Sequence, residues 1–346
     1  MKTHGYAAHD QNSAPVPFDF EHRELRPDDI LIDIQFCGIC HSDIHQARNE
    51  WGNSKFPMVP GHEIVGKVSA IGSSVTKFKV GDSAAVGCMV DSCSSCENCK
   101  AGEEQFCNNP GMVGTYNGLN RDGSPTYGGY ANKIVVTEHF ALHVPANLDL
   151  AATAPLLCAG ITTYSPLKHW GAGPGKKIGI VGLGGLGHMA LKFSHAFGAH
   201  TVQFTTSANK IEDAKKLGAD EVILTKEEGW QKKHLGSFDF ILDCVSADHD
   251  VNSLLGLLKR DGTLCLVGAP EKPLAVSSFG VIVGRKSLAG SMIGGIRETQ
   301  EMLDFCGEHN IVSDIEMTTF AKLEEAWERV VKSDVKYRFV LDTASL

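Results

Sequence analysis

No run of 18 uninterrupted apolar residues occurs anywhere in this chain of 346 residues, so nothing in it reads as a membrane-spanning helix. The first ten residues hold no apolar stretch of signal-peptide length, and a cytoplasmic location is the expectation. Positive charge is scarce: 32 Lys and Arg stand against 41 Asp and Glu, a formal net charge of -9. Such a balance gives no general attraction to phosphate polymers or anionic lipid. Nucleic acid and membrane are therefore not expected as partners, and a small molecule is. Internal repeats and low-complexity tracts are also missing.

What is present points to a globular α/β protein with many tight turns: 42% hydrophobic residues, 21% charged residues and 37 Gly. The length exceeds what one core usually supports, so two domains are expected. Eleven Cys in a reducing compartment are poor material for a disulfide framework and good material for metal sites.

Short apolar runs at 30–36, 63–71, 83–86 and 130–136, bounded by Gly, Asp or Ser, predict a β-rich first part. After residues 171–175 the rhythm becomes strand, helix, strand through 177–181, 186–197, 201–205, 211–217, 221–224, 238–245, 251–258 and 263–267. That is the pattern of a doubly wound parallel sheet. Helical patterns at 298–308 and 321–332 and a strand at 337–341 are expected to rejoin the first domain, because the nucleotide-binding pattern is by then complete.

Between residues 88 and 110 apolar residues are few, and Cys93, Cys96, Cys99 and Cys107 follow C-x2-C-x2-C-x7-C. Four thiolates suit a closed tetrahedral zinc site that replaces the missing core. Two disulfides or an iron–sulfur cluster are the alternatives that the spacing alone leaves open. Farther upstream, Cys37-Gly38-Ile39-Cys40-His41-Ser42-Asp43-Ile44-His45 gathers ligand and proton-transfer side chains at the end of a strand, and Gly61-His62-Glu63 follows about twenty residues on. The remaining cysteines, Cys37, Cys88, Cys244, Cys265 and Cys306, read as small buried hydrophobes.

With these residues the sequence resembles the zinc-containing medium-chain alcohol dehydrogenases, whose G-H-E-x2-G-x5-G-x2-V signature is met by Gly61, His62, Glu63, Gly66, Gly72 and Val75. It is most similar to the cinnamyl alcohol dehydrogenase branch with its bacterial broad-range aldehyde reductases, from Cys-His-Ser-Asp at 40–43 and Ala-Gly-Ile-Thr-Thr-Tyr at 159–164. The resemblance implies a GroES-like β-rich catalytic domain, 1–159 with 293–346, carrying two zincs. It implies a Rossmann domain at 160–292, with the active site in the cleft between them and a homodimer as the assembly. It implies that Cys40, His62 and Cys158 ligate a catalytic zinc, with Glu63 as an alternate or transient fourth ligand. It further implies that Asp43 orients His62, that Ser42 and His45 form a proton relay, that His41 meets the cofactor pyrophosphate, and that Trp51 and Phe56 line the substrate pocket. The last two could equally be core.

Gly182-Leu183-Gly184-Gly185-Leu186-Gly187 follows an apolar strand and opens a helix, the context a dinucleotide fingerprint requires. No acid occurs from 188 to 211, where a site for an unphosphorylated ribose expects one. Thr205, Thr206, Ser207 and Lys210 stand there instead, and hydroxyls and a cation suit a 2′-phosphate, so NADP(H) is expected over NAD(H). Lys210 opening a solvated helix is the plainer reading. The resemblance places Thr162, Ser291 and Ile293 against the nicotinamide and Arg338 at the pyrophosphate, although Arg338 could be an ordinary strand salt bridge. The function expected is reversible hydride transfer between NADPH and aromatic or aliphatic aldehydes. An NAD-dependent or polyol dehydrogenase, a catalytically silent NADPH-binding relative and a zinc–sulfur redox sensor are the rivals.

Overall fold

The computed structural model describes residues 1–270 and 272–346. It divides into two compact units, Met1–Ile161 with Gly294–Leu346, and Thr162–Ile293.

The first unit is built on a seven-stranded sheet. Its long central strand, Asp29–Ile39, pairs with Ile64–Ile71, with Lys133–Thr137 and with Arg338–Asp342 from the tail, all antiparallel. Ser83–Val86 and Leu142–His143 extend the sheet beyond Ile64–Ile71, and Ile315–Thr318 extends it beyond the tail strand. The apolar alternation near residue 30 is thus a strand buried among three others, with Ile30, Ile32, Ile34 and Ile39 in the core.

Register decides what this sheet presents at one edge. Cys37 lies opposite both Ile64 and Leu341, and Ile39 lies opposite Phe339. The chain therefore leaves the central strand at Cys40 beside the point where His62 and Glu63 enter one neighbour and Arg338 enters the other. Close backbone approach makes this possible: at Gly66 a Cβ would run into the carbonyl of Asp33, and at Gly38 it would run into the Glu63 carboxylate. Two elements that the alternation did not signal, Lys2–Ala7 and Val16–Glu21, form a separate hairpin.

The second unit is a six-stranded parallel sheet with spatial order Glu221–Leu224, His200–Thr205, Lys177–Val181, Phe238–Asp243, Leu258–Leu266 and Ser287–Gly290. Counted from its own first strand this is 3-2-1-4-5-6, with the switch of direction beside Lys177–Val181. The last strand, Ser287–Gly290, was not anticipated, because four residues with one large apolar side chain carry little periodicity. Val202, Phe204, Trp230, Phe238, Ile241, Leu255 and Leu264 belong to one buried core cluster of this unit. Burying each large side chain contributes about 1.5–3 kcal/mol. Among the described residues no single helix is long and apolar enough to cross a membrane.

Phe238, fully buried at the start of the strand that ends in Asp243, tests this core. Phe238→Ala should lower the unfolding free energy in urea by about 3–5 kcal/mol. A loss below about 1 kcal/mol would show that the parallel sheet is not organised around this ring.

Candidate active site

Cys40 follows the central strand and is the residue just before the helix His41–Ala47. The helix places Asp43 under the cluster, where its fully buried carboxylate accepts four hydrogen bonds. The donors are Cys40 N (3.0 Å), Gly61 N (3.1 Å), His62 Nδ1 (2.9 Å) and the Tyr130 hydroxyl (3.3 Å). A carboxylate so occupied fixes the protonated nitrogen of His62 as Nδ1 and leaves Nε2 to face the cluster with a lone pair.

One ligand atom each from Cys40, His62, Glu63 and Cys158 lies within 4.8 Å of all the others, and all four residues are buried. Cys158 follows the short 3-10 segment Ala154–Leu157, and its sulfur is 3.9 Å from that of Cys40. Two zinc-bound sulfurs at about 2.3 Å in tetrahedral geometry stand about 3.8 Å apart. The hydrogen bond from Cys158 draws the Cys40 thiol well below its usual range.

Glu63 is fully buried; one oxygen pairs with Arg338, and Oε2 has no hydrogen-bond partner. Burial pushes its carboxyl up to about 7 against the opposing pull of Arg338. An orphaned buried oxygen beside two sulfurs and an imidazole makes a donor set that fits a divalent, borderline-soft metal such as zinc. Cys88 places its sulfur 3.6 Å from the Leu157 carbonyl, beside Cys158, where the sequence reading saw only a small hydrophobe.

Arg338, expected at a pyrophosphate or in a strand salt bridge, is buried and pairs with Glu63. A carboxylate shut away from water is costly unless a cation accompanies it, and the tail strand begins where that cation can be supplied.

Ser42 and His45 lie one turn apart on the helix His41–Ala47. The ring centroids of His41 and His45 are 5.5 Å apart, and that of Trp51 is 5.8 Å from His45. Trp51 is half-exposed; Phe56 is half-buried in the following loop, and no ring contact joins it to these three among the described residues. The sequence reading missed Glu50, whose carboxylate pairs with His45 Nδ1. Five residues is not a helical neighbour spacing, so no pattern signalled it.

In the four-cysteine lobe the ligand atoms of Cys93, Cys96, Cys99 and Cys107 also lie within 4.8 Å of one another, and all eleven cysteines are unbridged. Cys93 and Cys99 sulfurs are 3.8 Å apart. Hydrogen bonds from Ser95 and from the backbone N–H of Cys96 pull the Cys93 thiol down to about 5, favouring the thiolate a metal needs.

In the second unit Gly182 has φ +88°, Gly184 precedes the helix Gly185–Ala196 with open space around it, and a Cβ at Gly187 would overlap the Gly182 carbonyl. Leu186 sits in the first turn of that helix, whose amino end offers unpaired N–H groups to an anion. Thr205 ends the next strand and is buried, Thr206 is exposed and Ser207 half-buried. Lys210 reaches back to donate to the Leu183 carbonyl at 2.9 Å, so it is no merely solvated helix residue. Thr162 is buried in the helix Ala159–His169, and Ser291 N donates to Leu266 O at 3.2 Å. Ile293 has φ +41°, a conformation costing a β-branched residue about 1–3 kcal/mol. Asp243, at the end of the strand beside the fingerprint strand, holds His249 Nε2 at 2.6 Å.

These arrangements agree with what comparison finds. Residues 26–146 match the alcohol dehydrogenase GroES-like domain, and residues 185–308 match the zinc-binding dehydrogenase domain. The chain belongs to the zinc-binding medium-chain alcohol dehydrogenases, in the branch of the cinnamyl alcohol dehydrogenases and bacterial aldehyde reductases. It is 54% identical over 341 residues to NADP-dependent alcohol dehydrogenase C 1 of Mycolicibacterium smegmatis, covering 99% of this chain and 98% of that one. It is 53% identical to the aldehyde reductase YahK of Escherichia coli, covering 100% and 99%. The cinnamyl alcohol dehydrogenase of Helicobacter pylori, solved with NADP(H), superposes with a TM-score of 0.93 at 40% identity over 99% of each chain.

The Asp243 pair gives a pH dependence. Its hydrogen bond to Asp243, against the effect of burial, raises His249 from 6.5 to about 9. The raised value means that the stabilisation is complete below about pH 6.5 and disappears as pH climbs through about 9. The wild-type Tm should therefore fall more over that range than the Tm of His249→Gln; parallel curves would show that the pair adds nothing.

Proposed function

We propose that this enzyme catalyses the reversible reduction of aromatic and aliphatic aldehydes to alcohols with NADPH, at a zinc held by Cys40, His62 and Cys158 with Glu63 beside it. The observation that carries this is the buried convergence of those four side chains, with His62 oriented by Asp43. Zinc bound there supplies Lewis-acid polarisation of the substrate oxygen.

The chain's own residues do the rest. Asp43 sets the tautomer and direction of His62, and Arg338 keeps Glu63 charge-compensated when no other cation is near. The Ser42 hydroxyl passes the proton that the alcohol oxygen gains or gives up, and His45 exchanges it with solvent, its ring oriented by Glu50. Trp51 and Phe56 offer apolar surface to the substrate, and His41 contributes to cofactor binding.

The Gly182–Gly187 loop and the amino end of its helix bind the pyrophosphate, and Thr162, Ser291 and Ile293 meet the nicotinamide. Thr205, Thr206, Ser207 and Lys210 receive the 2′-phosphate; the absence of any acid from 188 to 211 and the fixed amine of Lys210 support this over the unphosphorylated cofactor. The four-cysteine lobe holds a second, structural zinc.

The assembly we propose is a homodimer formed through the edge strand Ser287–Gly290. Phe279, Ile282 and Val283 beside it are 75%, 67% and 65% exposed, and an open strand edge next to such a patch calls for a partner.

An aldehyde panel assayed with NADPH and with NADH, before and after chelation, tests the reaction. NADPH should be favoured in kcat/KM by about tenfold or more, consistent with one charge-assisted contact, and chelation should abolish turnover. Equal use of NADH, or full activity without metal, would reject the reading. By light scattering the wild type should be a dimer and Phe279→Asp/Ile282→Lys a monomer; a monomeric wild type would reject the interface.

A further inference from the structure

The helix Ile296–His309 begins with Gly295 in the capping position, which has no side chain to satisfy the first N–H groups. The missing acceptor comes from 192 residues away. Glu104, between Cys99 and Cys107 of the four-cysteine lobe and almost fully buried, accepts the Ile296 N–H through Oε2 at 3.0 Å. Its other oxygen lies 3.0 Å from His139 Nε2. Two further contacts close the same joint: Arg297 Nη2 donates to the Ala101 carbonyl at 2.6 Å, and a Cβ on Gly295 would collide with the Gly102 carbonyl. The lobe's own fold holds Glu104 in place, since Cys107 N donates to its carbonyl at 3.0 Å.

The joint sits at a particular place in the chain. Gly294 is the first residue of the returning segment, directly after Ile293 with its left-handed backbone. A β-branched residue stays in that conformation only when its neighbours leave no alternative. Gly294 to Arg297 are such neighbours on one side, and Ser291, hydrogen-bonded to Leu266, bounds the other.

We propose that Glu104 is a positioning residue for cofactor binding: by capping the helix at Ile296 it anchors the segment 291–295 and holds Ile293 in its strained conformation. The four-cysteine lobe then has a role beyond local folding, as the anchor of a cofactor-contacting strand end. The proposal rests on the reading of 291–293 as a nicotinamide contact.

The test compares wild type, Glu104→Ala, Glu104→Gln and Gly295→Ala. It measures NADPH Kd by quenching of tryptophan fluorescence, KM and kcat, and zinc per chain. Glu104→Ala and Gly295→Ala should raise Kd and KM for NADPH by about tenfold, the scale of a lost helix cap, with zinc content unchanged and kcat within about threefold. Glu104→Gln retains an amide oxygen for Ile296 N–H and should stay within about threefold of wild type. Should Glu104→Ala fail to fold, Gly295→Ala alone decides, because it leaves the carboxylate intact and displaces the segment. Wild-type NADPH affinity in Glu104→Ala or Gly295→Ala overturns the proposal, as does equal loss in Glu104→Ala and Glu104→Gln accompanied by loss of zinc. A wild-type chain that binds no NADPH overturns the cofactor reading first and this inference with it.

Discussion

The structure depends on how a buried carboxylate is kept occupied. Asp43 is out of contact with water and accepts from the backbone at Cys40 and Gly61, from the His62 imidazole and from the Tyr130 hydroxyl. Those four donors come from the end of one strand, the approach to a second and the loop before a third. Removing any of them leaves an unsatisfied acceptor where no solvent can replace it, so the carboxylate ties the three segments to one geometry. Tyr130 in turn receives a hydrogen bond from Trp327 in a tail helix at 3.4 Å, which extends the network to the far end of the chain.

Around that anchor the charges are arranged in pairs. Glu63 pairs with Arg338 through one oxygen and leaves its other oxygen without a partner, and the Cys40 and Cys158 sulfurs share a hydrogen bond. A site of this kind is stable with a cation and uneasy without one. The Cys40–His62–Cys158 donor set with a carboxylate to one side is what a catalytic zinc with an exchangeable position requires. The four-cysteine lobe answers a different need. Its segment has little apolar material, and its four converging sulfurs suit a metal that would organise it in place of a core.

Much of this is legible in the amino-acid sequence. The four-cysteine spacing, the glycine fingerprint after an apolar strand and the missing acid after the second nucleotide-binding strand are local patterns. Each records a requirement of a few consecutive residues: thiolates at ligand spacing, backbone at positive φ as in Gly182, and no negative charge where we propose that the 2′-phosphate is received. The alternation over 30–36 and the strand–helix rhythm after residue 175 carried the two sheets for the same reason. Elements that miss any periodicity, such as Ser287–Gly290 and the hairpin Lys2–Ala7 with Val16–Glu21, gave no signal.

What the sequence by itself determined is the inventory: which residues can ligate metal, which glycines a tight turn demands, and which class of cofactor the charges tolerate. Only the tertiary structure decided the partners. Arg338 meets Glu63 across 275 positions, Glu104 meets Ile296 across 192, and Glu50 meets His45 off any helical repeat. Such pairings are set by strand register and by the need to satisfy each buried charge, and both are properties of the closed sheet rather than of neighbouring residues.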